Sequence, residues 1–132
     1  MLHHISLGVS DIDRAAAFYD AALAPLGYVR VWEDLAPGAD DQAVGYGVAG
    51  GGDKLALKQR SIGQRPPGPG FHLAFAAPDR QAVAAFHAAA LAYGGTDNGG
   101  PGLREHYGPT YFAAFVIDPD GHPIEAVFNQ AV

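Results

Sequence analysis

The chain contains no cysteine, which excludes both a disulfide framework and thiolate catalysis. Lysine occurs only at Lys54 and Lys58, and the formal net charge is −6 over 132 residues. A nucleic-acid or anionic-membrane surface needs clustered Lys and Arg to displace counterions, so neither partner is expected. Nowhere do eighteen apolar residues run together, and Met1-Leu2-His3-His4 lacks the basic start and long apolar run of a signal peptide. The expectation is one soluble, cytoplasmic domain spanning residues 1–132.

What the chain does have is an internal repeat. His4 and His72, Asp11 and Asp79, Phe18 and Phe86, Leu23 and Leu91, and Gly27 and Gly95 are each separated by 68 residues. Two modules, 1–64 and 71–132, are joined by the proline- and glycine-rich run Arg65 to Gly70, which suits neither helix nor strand. A histidine at the same place in both copies suggests two related groups aimed at one site.

Periodicity supplies the elements. From Leu2 to Val9, Ile5, Leu7 and Val9 share one strand face, and His4, Ser6 and Gly8 the other. In the second copy Phe71, Leu73 and Phe75 oppose His72, Ala74 and Ala76. Asp11 and Asp79 are good N-caps for alanine-rich helices over about 12–23 and 80–93, and Gly94-Gly95 offers a left-handed stop. Short apolar pieces follow at 28–33, 43–48 and 54–59, and again near Leu103, at 111–117 and at 123–128. Asp118-Pro119-Asp120-Gly121 makes a tight turn, so the last two pieces form a hairpin in which Glu125 faces away from Ile124 and Ala126. The fold class expected is α+β: two tandem βαβββ modules forming a curved, eight-stranded pair of half-barrels with helices on the outer face.

Three segments, His4-Ile5-Ser6-Leu7-Gly8-Val9-Ser10-Asp11 with Phe18-Tyr19, Gly70-Phe71-His72-Leu73-Ala74-Phe75, and Phe115 to Glu125 through Asp118-Pro119-Asp120-Gly121-His122, occur in this order. Together they resemble the vicinal oxygen chelate superfamily, which includes glyoxalase I, fosfomycin resistance proteins, bleomycin-binding proteins and extradiol dioxygenases. The resemblance implies that His4, His72 and Glu125 are metal ligands for one divalent ion (Fe, Mn, Ni or Zn). Two imidazoles and a carboxylate from three strands can hold one face of an octahedral ion and leave positions open for substrate. It also implies a homodimer whose modules pair within or between chains; exchange across chains would place His4 and Glu125 of different subunits in one site.

The glyoxalase pattern brings a further glutamate on the last strand of the first module, but Lys54 to Arg60 contains no carboxylate. The ring-cleaving signature has a tyrosine where this chain has Phe115, and the fosfomycin-type lysine- and serine-rich loop is missing between Asn98 and Tyr111. The loop Arg104 to Tyr111 is rich in groups that move protons or bind anions. His106 is the candidate acid or base, with Tyr107 beside it and Glu125 as the third catalytic candidate. Ser6, Lys58, Tyr111 and Phe115 are expected to contact a small-molecule substrate, and Lys58 or Arg60 to hold a carboxylate on it. His3, His87 and His122 are assigned ordinary roles. The expected function is a metal-dependent enzyme on a small oxygenated substrate, with glyoxalase-like isomerase or lyase chemistry ahead of extradiol ring cleavage. A metal-free binder of the bleomycin-resistance kind is the alternative of another class.

Overall fold

The computed structural model describes residues 1–38, 41–60, 63 and 65–131; the positions 61, 62 and 64, which end the first module of the sequence reading, lie outside the described residues. The first module contains β1 (Ile5–Val9), α1 (Ile12–Leu23), β2 (Val29–Asp34), β3 (Ala43–Gly47) and β4 (Leu55–Gln59). The second contains β5 (Leu73–Ala76), α2 (Arg80–Ala92), β6 (Thr96–Asp97), β7 (Gly102–Leu103), β8 (Tyr111–Ile117) and β9 (Pro123–Asn129). Both helices begin at the expected aspartates: Asp11 accepts from the Arg14 amide at 3.1 Å and Asp79 from the Ala82 amide at 2.7 Å. The second ends where Gly94 takes φ +101°, a conformation that costs a residue with a Cβ.

The strands form two sheets, ordered β1-β4-β3-β2 and β5-β9-β8-β6, with β7 also paired to β8. In each module the first and last strands run parallel, Ile5 beside Leu55 and Leu73 beside Ile124. The second sheet has one strand more than expected, because Thr96 and Asp97 pair with Ile117 and Val116. That two-residue strand is too short to carry an alternating pattern of its own.

The two helices pack on each other, and each sheet turns its apolar face towards them. Leu7, Val9, Val44, Leu57, Phe18, Leu23, Val83, Phe86, Val116, Ile124 and Ala126 therefore belong to one continuous core shared by both modules. On the opposite strand faces Ser6, Ala74 and Ala76 are exposed, while Ala43, Ala56 and Ala113 are buried. An apolar cavity of about 250 Å³ lies between the first strands of the two modules, lined by Ile5, Leu55, Tyr28, Leu73 and Phe75. The charged groups expected to do chemistry lie elsewhere.

Two buried tyrosines tie α1 to its surroundings. The Tyr46 hydroxyl donates to Ala16 O at 3.1 Å and to an Asp20 carboxylate oxygen at 2.8 Å; that of Tyr19 donates to Asp118 at 2.6 Å. Burial first, then the neighbouring carboxylates, raises both phenols above their ordinary value. Unfolded tyrosine ionises near pH ~10, so the stability these phenols contribute is complete below that pH and is lost as pH rises towards the folded values. Urea unfolding at a series of pH values from 8 to 11 should show this decline, with a shallower slope for Tyr46→Phe; an equal slope in that variant would contradict it.

Candidate functional site

The β8–β9 hairpin builds the centre of the site. Its turn closes when the Asp118 amide donates to His122 O and the Gly121 amide to Asp118 O, each at 2.9 Å, with Gly121 at φ +92°. The resulting register sets Glu125 opposite Phe115, and Val116 opposite Ile124. Val116, Ile124 and Ala126 enter the core, so Glu125 and Phe115 take the other face.

Glu125 is nevertheless only 1% exposed. Its Oε1 lies 3.1 Å from His72 Nε2 and its Oε2 accepts from the Tyr111 hydroxyl at 2.9 Å. A carboxylate out of water needs such partners. Burial and the bond to Glu125 push the Tyr111 phenol up to about 12, so at neutral pH it stays protonated and donates. The His72 side chain is half exposed, at 52%, and lies at the open side of the pair.

The 104–111 loop adds a row of rings. Tyr107 lies 5.2 Å from the Tyr111 ring by centroids, and His106 4.2 Å from Tyr107. The loop is pinned at its base by the Arg104 amide donating to Tyr111 O at 2.8 Å. Thus Glu125, Tyr111 and Phe115 lie on the second sheet, with His72 just before its edge strand and His106 and Tyr107 in the adjoining loop, all of them singled out in the sequence.

The remaining expected residues belong to the first sheet. Ser6 is opposite Ala56, and Lys58 stands between Gly8 and Ala43, all on the face turned away from the helices. Trp32 covers Gly45 so closely that a Cβ there would collide with the indole. Arg60 donates to Gln59 O at 2.6 Å, and so caps its strand end. His4 touches its neighbour His3, with 2.8 Å between the two Nδ1 atoms. Among the described residues, the three-membered group of His and carboxylate side chains with ligand atoms within 4.8 Å of one another is His3, His4 and Asp53, and it includes neither His72 nor Glu125. Within one chain, then, the three expected ligands divide as two and one.

Sequence reasoning missed Asp53, whose approach to His4 depends on the parallel pairing of β1 with β4. It also missed the depth of the hairpin turn. His122, assigned an ordinary role, is 1% exposed and its Nδ1 lies 2.8 Å from Asp118, which also receives Tyr19 of α1. The Ser10 hydroxyl donates to Asp120 at 2.6 Å in the same region. These bonds hold the second module's turn against the first module. The sequence showed only a turn motif there, because the partners lie about a hundred residues away.

The comparisons agree with this architecture. Residues 1–126 match the model of the Glyoxalase/Bleomycin resistance protein/Dioxygenase superfamily. The chain belongs to that superfamily. A glyoxalase/bleomycin resistance protein from Albidiferax ferrireducens is similar over 96% of both chains, at 29% identity and a TM-score of 0.77. A glyoxalase-related enzyme from Fulvimarina pelagi matches 98% of this chain and 88% of its own, at 25% identity and a TM-score of 0.71. A glyoxalase I variant from Zea mays matches 96% of this chain at 25% identity and a TM-score of 0.74, with 45% of its own length covered. No curated protein matches. As a superfamily member of this shape the chain has the α+β fold expected, and none of its described helices is long and apolar enough to cross a membrane.

Proposed function

We propose that this superfamily member is a divalent-metal-dependent enzyme for a small oxygenated substrate, and that it works as a homodimer. The observation that carries the reading is the His72–Glu125 pair, 3.1 Å apart on a sheet face turned away from the core. An imidazole nitrogen and a buried carboxylate, the latter fixed by Tyr111, suit a borderline divalent ion such as Fe, Mn, Ni or Zn. Two protein donors leave the set short by one, and His4 is the expected third. His4 precedes β1, which like β5 is an edge strand with one side unpaired. In a twofold dimer the partner's β1 edge can come alongside β5, giving two equivalent sites. When bound, the ion would supply Lewis acidity to the substrate's chelating oxygens.

The chain's own residues do the rest. Tyr111 fixes the Glu125 carboxylate by donating to Oε2 and keeps its own proton at neutral pH. His106, exposed and in ring contact with Tyr107, would take and return a proton on the substrate carbon. Phe115 gives an apolar floor next to Glu125. Ser6 and Lys58, on the face that also carries His4, would contact the substrate from the partner's side. The missing phenol at Phe115 favours proton-transfer chemistry of the glyoxalase type over ring cleavage.

Mixed dimers test the shared site. His4→Ala and Glu125→Ala proteins should each fail to hold metal alone. Unfolded and refolded together, they should regain about a quarter of the wild-type capacity, because half the dimers are mixed and each has one complete site of two. No recovery, or a monomer of 13.7 kDa in sedimentation, would refute the shared site. For the chemistry, turnover of an α-ketoaldehyde thiol adduct should fall about 100-fold or more in His106→Ala. Oxygen uptake with a catechol in the iron form would instead place the enzyme with the ring-cleaving members.

A further inference from the structure

Among the described residues Arg104 has no carboxylate partner. In this it is like Arg60, Arg65, Arg80, Lys54 and Lys58, whereas Arg14 pairs with Asp120, and Arg30 with Asp20 and Glu33; what sets Arg104 apart is its place beside Phe115. Its guanidinium is not trailing in water either. The Cζ lies 5.2 Å from the centroid of the Phe115 ring, and Nη2 donates to Gly100 O at 2.6 Å. Two glycines make room for it: a Cβ on Gly99 would come 3.1 Å from Nη2, and one on Gly102 3.1 Å from Nη1. A stacked, bonded and closely walled guanidinium has lost most of its side-chain freedom before any ligand arrives, so little further entropy is lost on binding one.

Its position on the sheet gives the ligand. Phe115 stands directly opposite Glu125 in the hairpin, and neighbouring strands are about 4.8 Å apart. The guanidinium therefore lies on the face that carries the His72–Glu125 pair, one strand spacing beyond Phe115 and roughly two from Glu125, with the Phe115 ring between. A planar fork with an unused edge is the natural partner of a carboxylate. We propose that Arg104 is a specificity-determining residue that receives a distal carboxylate of the substrate, so that the substrate class is a small acid with chelating oxygens at one end and a carboxylate at the other. This rests on the reading of His72 and Glu125 as the chelation site.

The test uses 2-oxoglutarate and 2-oxoadipate against 2-oxopentanoate and 2-oxohexanoate, which have the same chelating end and no second carboxylate. Calorimetry on zinc-loaded protein should show the diacids binding about tenfold or more tighter, the range for a bond between charged partners. In Arg104→Gln that preference should vanish while zinc content and monoacid affinity stay as in the wild type. Gly102→Ala, which crowds Nη1, should erode it. Zinc content is measured first, so failure of the metal reading is seen separately. In metal-free protein the Arg104 Nε–H resonance should still shift on addition of 2-oxoglutarate and not of 2-oxopentanoate. Equal affinities for the two acid series in the wild type, a preference retained in Arg104→Gln, or no selective shift of that resonance would each overturn the proposal.

Discussion

Replacing Glu125 by glutamine should reduce the affinity for a divalent ion by about 100-fold or more, since outer-sphere partners alone are worth 10–100-fold and this residue is a direct donor. His72→Ala should do the same. Tyr111→Phe, which removes only the bond at 2.9 Å to Glu125 Oε2, should cost about 10-fold to 100-fold. The order matters as much as the size, because a non-specific surface site would respond to none of the three. The measurement is metal analysis and competition with a chromophoric chelator on protein purified without a histidine tag, with thermal melts to show that each variant folds. Stoichiometric metal retained in both His72→Ala and Glu125→Gln would remove the site assignment altogether.

Asp118→Ala should be among the most destabilising single changes in the molecule. One carboxylate oxygen accepts from the His122 amide at 2.8 Å and the Asp120 amide at 2.9 Å; the other is 2.8 Å from His122 Nδ1 and 2.6 Å from the Tyr19 hydroxyl. Asp118 and His122 are 4% and 1% exposed, and Tyr19 is fully buried. Leaving a buried donor unmatched costs about 1–3 kcal/mol. Water entry relieves some of that, so the total expected is about 3–5 kcal/mol. Against a typical domain stability of about 5–15 kcal/mol, such a protein would be marginal at 37 °C. Tyr19→Phe removes one donor and keeps the ring, and should cost about 1 kcal/mol. Urea unfolding reads both; an Asp118→Ala midpoint within experimental error of the wild type would show that the network adds nothing to stability.

Much of the local structure was legible because it depends on neighbours in sequence. The caps at Asp11 and Asp79, the stop at Gly94 and the Asp118 to Gly121 turn are determined by side chains within a few residues. Strand alternation likewise showed which way Glu125 points. The 68-residue repeat set His4 and His72, and the two capping aspartates, at matching points before β1–α1 and β5–α2. Thr96–Asp97 escaped because two residues carry no period, and its pairing to β8 is settled by the partner strand.

The sequence alone determined the modules, their apolar faces and the candidate donors, since burying one face of a helix or strand is a local requirement written into its period. Tertiary structure decided which faces meet. Packing α1 on α2 puts both modules around one core and leaves His72 with Glu125 on one sheet and His4 with Asp53 on the other. It also brings Tyr19 to Asp118 across 99 positions and lays Arg104 over Phe115. Period and propensity describe each element's own surface; the pairing of surfaces distant in sequence follows from how the whole chain fills one core, and only the closed fold contains it.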